Sequence, residues 1–480
     1  MLLRLLMPFF LFQYPAASGF ASDGPAAAEA SNVLLILMET LRPDHLGCYG
    51  YRRGTSPNID KLAAQSAVFE NAFSQSSQSL ISAASVFTGL YPPSHGVIRA
   101  DRRLDPSLPT LAGELKRRGY TTAAFTSGFF LNRGFGLNSG FEAYDDSTDF
   151  GTLADAVPNA VGWLRRNKKN KFFLLVHGYD AHAPYRAPKE LLDKFGAGYA
   201  GPLAGLPLDY NLADRIWRDG LYADFRLKRK VAPVNKRDVD YIISQYDAAV
   251  LYADGRIGEL LEELAALGLK DRTLVLFMSS AGEALMEHGT VISSFHGGLY
   301  EEGLHVPLLI HVPGAAASRF GAAVQLVDVM PTVFDLLGFP APATAEGVSL
   351  RPALEGREPP ERTVYAQTLS LRTGLPYIGI RKYPWKLLLE DGNYELFDLA
   401  VDPAEQKNAA SEKPVEFEFM KAELDRMVKG MPRRTAVSGG RPLAAEAARM
   451  KALGYWWLDR PRVRYWSERR RGKEEGGAWK

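Results

Sequence analysis

The stretch Val33-Leu-Leu-Ile-Leu-Met38 is followed directly by Glu39 and Thr40, and it indicates the fold class of this 480-residue chain. An uninterrupted apolar run of this length predicts a strand that is buried on both faces, as in a parallel sheet. Amphipathic helical patterns alternate with later runs of the same kind. This alternation predicts an α/β fold with a doubly wound, mostly parallel sheet flanked by helices. The later runs are Thr121–Thr126, Phe172–His177 and Thr273–Met278, and the helical patterns are Leu108–Arg118, Ala154–Arg166 and Tyr241–Leu267.

A second pattern begins after Pro340-Ala-Pro342, where shorter strand-like runs replace the long apolar ones. The turn signal Asp391-Gly392 predicts that these runs form a small antiparallel sheet, and a helix is expected near Val415–Val428. The strand-like runs are Val364–Leu369, Tyr377–Arg381, Trp385–Leu389 and Tyr394–Leu399. The predicted units are an α/β core over 32–340, a C-terminal α+β subdomain over 341–430 and a basic extension over 431–480 with a docked helix at Ala444–Trp457.

The N-terminus, Met1-Leu-Leu-Arg-Leu-Leu-Met-Pro-Phe-Phe-Leu-Phe12, places one positive charge in an apolar run that is too short to span a bilayer. Small residues follow, which predicts a cleaved secretory signal peptide over 1–21 and a linker over 22–31. A buried N-terminal helix is the alternative. The single cysteine, Cys48, excludes an internal disulfide. We therefore expect an exported protein, in a bacterial-type periplasm or outside the cell.

The formal net charge of +2 argues against a nucleic-acid-binding protein, whose basic excess is usually much larger. The charge is uneven, because the segment from Arg460 to Lys473 is rich in arginine and lies beside Trp456 and Trp457. Basic residues among aromatic ones suit a weak contact with an anionic membrane surface or a polysaccharide. A solvated tail is the alternative.

Polar residues that follow the predicted strands are the first candidates for function, because the carboxyl ends of parallel strands meet at one edge of the sheet. Glu39 follows the first strand, His177 and His182 follow the third, and the segment from Ser279 to Glu283 follows the fourth. His296 lies in a Gly-rich loop. Histidines in such places act as acids, bases or anion contacts, or they serve as turn and capping residues.

The stretch Ser74-Gln-Ser-Ser-Gln-Ser-Leu-Ile-Ser82 supplies hydroxyl groups at the predicted start of a helix. The helix dipole favours an anion at such a place, so this stretch is a candidate source of a hydroxyl nucleophile. Capping of the helix by serine is the alternative.

Motifs spread over residues 32–410, in order and with family-like spacing, make the chain resemble the sulfatase family of the alkaline phosphatase superfamily. The resemblance implies an alkaline-phosphatase-like core and the hydrolysis of sulfate esters. The motifs are Asn32-Val-Leu-Leu-Ile-Leu-Met-Glu-Thr-Leu-Arg-Pro-Asp-His-Leu-Gly-Cys-Tyr-Gly50, Thr55-Ser-Pro-Asn-Ile-Asp60, Thr88-Gly-Leu-Tyr-Pro92, Leu108-Pro-Thr-Leu-Ala112, Gly119-Tyr120, His182-Ala-Pro-Tyr185, Leu299-Tyr-Glu-Glu-Gly303, Val306-Pro-Leu-Leu309, Val327-Asp-Val-Met-Pro-Thr332 and Leu396-Phe-Asp-Leu-Ala-Val-Asp-Pro-Ala-Glu405.

The resemblance implies a formylglycine nucleophile, which the family makes from the first residue of a Cys/Ser-x-Pro-Ser-Arg motif. The corresponding stretch is Ser79-Leu-Ile-Ser-Ala83, so Ser79 occupies the nucleophile position. Ile81 replaces the proline and Ala83 replaces the arginine, both of which the modifying machinery recognises. We therefore expect Ser79 to remain unmodified.

The resemblance also implies a divalent cation, usually calcium, which neutralises charge in the transition state and is held by several carboxylate oxygens. The family's first aspartate pair corresponds to Glu39-Thr40, and its second pair corresponds to Ser280-Ala281. One carboxylate remains, so we expect no ordinary metal site. Glu283 and Glu287 are substitutes only if their loop takes a different course from that of the family.

The resemblance places His182 at a mid-chain histidine of the family and His296 at a residue that contacts the substrate. The family's Gly-Lys-Trp-His stretch maps near Ser127 and Phe129, so its lysine and histidine are absent. The expected function is a non-catalytic sulfatase-like protein, without a cofactor, whose cleft binds a sulfated or phosphorylated glycan or another small anion. The alternative is an active sulfate- or phosphate-ester hydrolase or transferase. It would use Ser79 as nucleophile, one of the two histidines as acid or base, and calcium or another divalent cation in a remodelled site.

Overall fold

The computed structural model describes residues 30–99, 101–148, 150–206, 208, 223–224, 229–230, 235–289, 298–357, 359–370, 375–434 and 437–438. The predicted signal peptide, the docked helix at Ala444–Trp457, the basic aromatic tail and His296 lie outside these residues. Among the helices that are described, none is both long enough and apolar enough to cross a bilayer.

Most of the longer strands belong to one large mixed sheet. Numbered in chain order, the strands are β1 (Asn32–Met38), β2 (Ala67–Phe73), β3 (Arg102–Arg103), β4 (Thr121–Phe125), β5 (Ala143–Asp145), β6 (Phe172–Gly178), β7 (Ala223–Asp224), β8 (Arg229–Lys230), β9 (Thr273–Ser279), β10 (His305–His311), β11 (Ser318–Gln325), β12 (Val364–Leu369), β13 (Pro376–Lys382), β14 (Trp385–Glu390), β15 (Asn393–Asp398) and β16 (Val437–Ser438). The order in the large sheet is β11-β2-β10-β9-β1-β6-β4-β5. Strand β10 runs antiparallel to β2 and β9, and the other neighbouring pairs are parallel.

Helices lie on both faces of this sheet. The helices of the described residues, numbered in chain order, are α1 (Pro57–Ala63), α2 (Ser79–Thr88), α3 (Pro92–His95), α4 (Leu111–Arg117), α5 (Leu153–Asn167), α6 (Lys189–Phe195), α7 (Lys236–Ala266), α8 (Glu301–Leu304), α9 (Val329–Leu336), α10 (Arg351–Leu354) and α11 (Pro414–Gly430). Leu35 and Leu37 of β1 pack in one hydrophobic cluster with residues of α2, α4 and α9. Leu34 and Ile36 pack in another cluster with residues of α1, α5 and α7. Successive side chains of a strand point to opposite faces, so β1 needs apolar residues at every position. The predicted doubly wound, mostly parallel sheet is therefore confirmed.

The C-terminal sheet is antiparallel, as predicted, with the order β12-β13-β14-β15. The hairpin between β14 and β15 turns at Asp391 and Gly392, which have φ values of 50° and 78°. Two consecutive positive φ values are the requirement of a type I′ turn, which explains the Asp-Gly signal. Met420 and Leu424 of α11 cover this sheet by packing with Leu387.

Candidate functional site

The candidate site lies where β9, β1 and β6 end side by side in the large sheet. In the parallel registers, Met38 at the end of β1 pairs with Ser279 of β9 on one side and with Gly178 of β6 on the other. The residues that follow these three strands are therefore brought together, as the sequence predicts. Those of them that carry polar side chains are buried, so their hydrogen bonds decide what the site can do.

Glu39 is at the centre of this group and is 0% exposed. Its Oε1 atom lies 3.0 Å from Nε2 of His177. Its Oε2 atom accepts a hydrogen bond from the hydroxyl of Ser280. Each carboxylate oxygen thus already has a donor from the protein, which offsets much of the cost of burying the group.

The hydrogen bonds of His177 define its tautomer. The backbone N–H of Ser127 lies 3.3 Å from Nδ1 of His177, and it donates to that atom because a backbone N–H is always a donor. Nδ1 therefore carries no proton, and Nε2 carries the proton that is donated to Glu39. Ser127 also binds the backbone of this residue, since its hydroxyl donates to the His177 carbonyl oxygen at 2.8 Å. His177 is thus a neutral partner of Glu39.

Thr40 has its side chain turned to the backbone of a neighbouring loop. Its hydroxyl donates to the carbonyl oxygen of Ala181 at 2.8 Å, and its own carbonyl oxygen accepts from the Tyr246 hydroxyl at 2.8 Å. Its φ of 53° lies in the left-handed region. For a β-branched residue this conformation costs about 1–3 kcal/mol, which the surrounding contacts must offset.

At the end of β9, the side chain of Ser279 likewise binds the backbone. The hydroxyl of Ser279 accepts from the N–H of Leu41 at 2.9 Å, and Ala281 offers only an apolar side chain with 0% exposure. Of the two polar side chains at this strand end, only Ser280 reaches Glu39.

The two glutamates of the next loop differ in their surroundings. Glu287 binds Nη1 of Arg42 through Oε1 at 2.7 Å and accepts from the N–H of Leu285 through Oε2 at 2.5 Å. Glu283 is 0% exposed, and neither of its carboxyl oxygens has a hydrogen-bond partner in the structure. Burial raises its pKa well above the usual range for a carboxyl, and the nearby Thr40 hydroxyl and Arg42 guanidinium oppose this rise.

Ser79 is the first residue of α2, and it is 4% exposed. All the residues of α2 are buried, including Ile81 and Ala83, which pack in the core where the sequence motif would otherwise supply proline and arginine. Gln78 precedes the helix and forms no side-chain cap. The buried hydroxyl of Ser77 has no partner either. Ser79 therefore lies at a helix N-terminus, as the sequence predicts.

His182 is buried beside aromatic rings. Its Nδ1 atom donates to the carbonyl oxygen of Ala183 at 2.6 Å. The rings of Phe150 and Tyr179 each lie 5.3 Å from it, measured between ring centroids. Burial lowers the pKa of His182 to about 4, and the Ala183 carbonyl and the Glu39 carboxylate oppose this only in part. The imidazole is therefore neutral at pH 7 and acts through hydrogen bonds.

An aromatic cluster of Phe129, Phe130, Phe150 and Tyr179 surrounds this histidine, and its members are almost fully buried. The centroids of Phe129 and Phe150 are 3.8 Å apart, and those of Phe150 and Tyr179 are 5.0 Å apart. The cluster makes this side of the site apolar. An anion placed here would lose hydration without gaining a cation from these four side chains.

The sulfatase family model matches residues 31–339, and a model described as N-sulphoglucosamine sulphohydrolase, C-terminal, matches residues 292–431. The chain belongs to the sulfatase family. Arylsulfatase K of Bos taurus is 25% identical over 469 residues, which cover 83% of this chain and 84% of that protein. Iduronate 2-sulfatase of Homo sapiens is 29% identical over 405 residues, which cover 71% of each chain. A solved structure of a protein bound to its substrate D-glucosamine-2-N,6-O-disulfate has the same fold, with a TM-score of 0.69, 22% identity, and coverage of 83% of this chain and 98% of that one.

Membership in this family raises the question of whether a divalent cation fits the residues present. Calcium takes six to eight oxygen ligands, several of them from carboxylates. Glu39 is the one carboxylate at the positions that correspond to the family's two ligand pairs, Glu39-Thr40 and Ser280-Ala281, and both its oxygens are hydrogen-bonded. The described residues contain no group of three or more His, Cys, Asp or Glu side chains that is arranged to hold a metal. These residues do not fit the family's calcium.

The sequence made His177 a candidate for function or for a turn, without naming its partner, and it gave no role to Asp180. Asp180 accepts from the N–H of Leu153 at 2.9 Å, at the start of α5. Burial raises the pKa of Asp180 to about 7, against the opposing Leu153 hydrogen bond. The position of His177 directly after a buried strand was its only signal. The partner that defines it, Glu39, is far away in the sequence.

Proposed function

We propose that this member of the sulfatase family does not hydrolyse sulfate esters. The observation that supports this most strongly is that His177 and Ser280 occupy both oxygens of Glu39, the carboxylate that would have to bind the cation. A cation that entered here would have to displace two protein donors. It would find only Thr40, Ser280 and Ala281 at the other expected ligand positions.

The nucleophile position supports the same proposal. Ser79 is a plain serine in a stretch where Ile81 and Ala83 are buried in the core. Such a stretch does not offer the modifying machinery the proline and arginine that it recognises. An unmodified serine lacks the second hydroxyl with which formylglycine ejects sulfate, so any covalent ester formed on Ser79 would be long-lived.

The role that remains is binding, and we propose a glycan as the ligand. The name of one relative refers to iduronate, and one structural neighbour binds a glucosamine disulfate, so sulfated sugars are the ligand class of similar proteins. In this chain His182 is neutral at pH 7 and the neighbouring rings of Phe150 and Tyr179 are apolar. His182, Phe150 and Tyr179 are at most 4% exposed, so a sugar would meet them only at the edge of this apolar wall, and hydrogen bonds rather than a cation would recognise a sulfate or phosphate group.

The experiment is an assay of the purified protein with nitrophenyl sulfate, phosphate and phosphonate esters, combined with metal analysis. The proposal expects turnover at the level of the buffer for both the native protein and the Ser79→Ala variant, and no stoichiometric calcium. Binding to an array of sulfated and unsulfated glycans tests the ligand class. Hydrolysis that is abolished by Ser79→Ala would refute the proposal.

An active hydrolase or transferase is the second candidate, and one observation favours it. The buried carboxyl of Glu283 has no hydrogen-bond partner in the structure, and a remodelled cation site in which Glu283 is a ligand would explain this. This candidate expects about one divalent ion per chain, bound through oxygens. It also expects activity that is lost on chelation and in both Ser79→Ala and Glu283→Gln.

We also propose that the protein is exported. The segment that carries the predicted signal peptide lies outside the described residues, so an experiment has to test this part of the proposal. Fractionation of expressing cells tests it, and we expect the chain beyond the inner membrane with residues 1–21 removed.

Deletion of 459–480 tests the weak membrane contact of the basic tail, since a chain without it should no longer sediment with anionic vesicles.

A further inference from the structure

Among the residues that the structure describes, two buried polar side chains close to Arg42 lack hydrogen-bond partners. Glu283 is 0% exposed, and both its carboxyl oxygens are without a hydrogen bond. Tyr185 is 7% exposed, and its buried hydroxyl is also without one. The two are close enough for the Glu283 carboxylate to contribute to the raised pKa of Tyr185, after the larger effect of burial. Most buried polar groups in proteins are satisfied, so two neighbouring exceptions require an explanation.

The neighbouring donors are all committed elsewhere. The Thr40 hydroxyl donates to the Ala181 carbonyl, and the Tyr246 hydroxyl donates to the Thr40 carbonyl, each at 2.8 Å. The Arg42 guanidinium contacts the Glu283 backbone carbonyl at 3.1 Å, but not the Glu283 carboxyl.

The guanidinium of Arg42 does not pair with the Glu283 carboxyl. It binds two other carboxylates, Asp44 at 2.7 Å and Glu287 at 2.7 Å, and both of these are partly exposed to solvent. Glu283 is fully buried, so it is the carboxyl of the three that lacks both solvent and a paired charge. A buried charge is stable only when it is paired and hydrogen-bonded, and a bound cation would supply that partner.

We propose that Glu283 and Tyr185 bind a small monovalent cation, such as Na⁺ or K⁺, between them. Oxygen ligands suit a hard cation. A single unpartnered carboxylate matches a single charge, whereas calcium requires several carboxylates and the described residues offer no cluster of that kind. The cation would link the loop after β9 to the segment after β6. This site does not use the Glu39 carboxylate. It shares Glu283 with the remodelled divalent site of the second candidate function, and the two are told apart by the ion, because this site responds to Na⁺ or K⁺ and not to calcium.

The test is the melting temperature of the purified, EDTA-treated protein in NaCl, KCl or choline chloride at equal ionic strength and pH. A ligand that binds only the folded state raises the melting temperature as its concentration increases. We expect Na⁺ or K⁺ to raise it above the choline value, with a concentration dependence that disappears in Glu283→Gln and weakens in Tyr185→Phe. Glu287→Gln is the matched control, because Glu287 lies in the same loop but already pairs with Arg42, and it should retain the response.

Equal melting temperatures in the three salts would overturn the proposal, and so would a cation response that survives in Glu283→Gln. A melting temperature that changes with pH but not with the cation would mean that a proton and water occupy the site between Glu283 and Tyr185. That result would also overturn the proposal. Calorimetric titration of the native protein with KCl against choline chloride gives a second measurement that does not depend on the folding of a variant. The same titration is made with NaCl. Saturable heat with either salt but not with choline chloride supports the site, and its absence with both salts overturns it.

Discussion

Ser280 and Glu39 meet across the ends of β9 and β1, and the hydroxyl of Ser280 donates a hydrogen bond to Oε2 of Glu39. The resemblance to the sulfatase family predicts a second metal-binding carboxylate at this position, and Ser280 instead forms a hydrogen bond with another protein group. Together with the hydrogen bond from His177 to Oε1, this contact gives both oxygens of the buried Glu39 carboxylate a partner within the protein.

The first prediction concerns Ser280→Ala. The change leaves Oε2 of a buried carboxylate without a donor, so we expect the free energy of unfolding to fall by about 1.5–3 kcal/mol, the range for hydrogen bonds to charged groups. Urea unfolding at pH 7 measures it. Ser280→Thr is the control, because it keeps the hydroxyl. Equal stability of Ser280→Ala and the native protein would show that the contact contributes nothing.

The second prediction concerns His177→Ala. The change removes the donor to Oε1 of Glu39 and leaves a cavity, and we expect a loss of roughly 3–5 kcal/mol in the free energy of unfolding. Glu39→Gln added to this variant should recover part of the loss, because it replaces an unpaired buried charge by a neutral amide. A double-mutant cycle measures this coupling. Additive effects of the two changes would contradict the pairing.

The third prediction concerns the divalent cation. The melting temperature of the native protein should be the same in EDTA and in calcium, because Glu39 is saturated and its neighbours are not ligands. The triple change Thr40→Asp, Ser280→Asp, Ala281→Asn restores the family's ligand types beside Glu39. It should lower the melting temperature in EDTA, through repulsion between buried carboxylates, and calcium should restore it. A calcium-dependent rise in the native protein would instead support the active alternative.

The sequence predicted the strands that are apolar throughout, such as β1, because burial on both faces leaves a continuous signal. It did not predict β2 or β10. Strand β2 contains Glu70 and Asn71, which interrupt the apolar run. Strand β10 contains Pro307, which argues against a strand inside a sheet, and the structure accommodates it at an irregularity of register between Val306 and Leu308.

The site shows the same limit. The sequence located Glu39, Ser280 and Ala281 at strand ends, because the apolar runs before them are easy to recognise. It did not show that Glu39 pairs with His177, since that contact depends on the parallel register of β1 and β6 and on the Ser127 N–H that orients the ring. Nor did it show the aromatic cluster around His182, whose members come from separate segments.

The fourth prediction concerns the pH dependence of stability through His182. Its pKa is lowered from 6.5 to about 4 in the folded protein, chiefly by burial. As the pH falls below 6.5, the unfolded chain binds a proton at this histidine before the folded chain does. The contribution of the neutral ring is therefore complete above pH 6.5, decreases between pH 6.5 and pH 4, and is lost below that, with a total of about 3 kcal/mol.

The variant His182→Gln removes this dependence but keeps a polar side chain of similar reach. The difference in free energy of unfolding between the native protein and His182→Gln should shift by up to about 3 kcal/mol between pH 7 and pH 4, in the direction that disfavours the native protein at low pH. Other groups cancel in this difference, because they titrate in both proteins. Urea unfolding at half-unit pH intervals gives the curve. A difference that stays constant across this range would mean that His182 titrates alike in the folded and unfolded chains, which its burial beside Phe150 and Tyr179 does not permit.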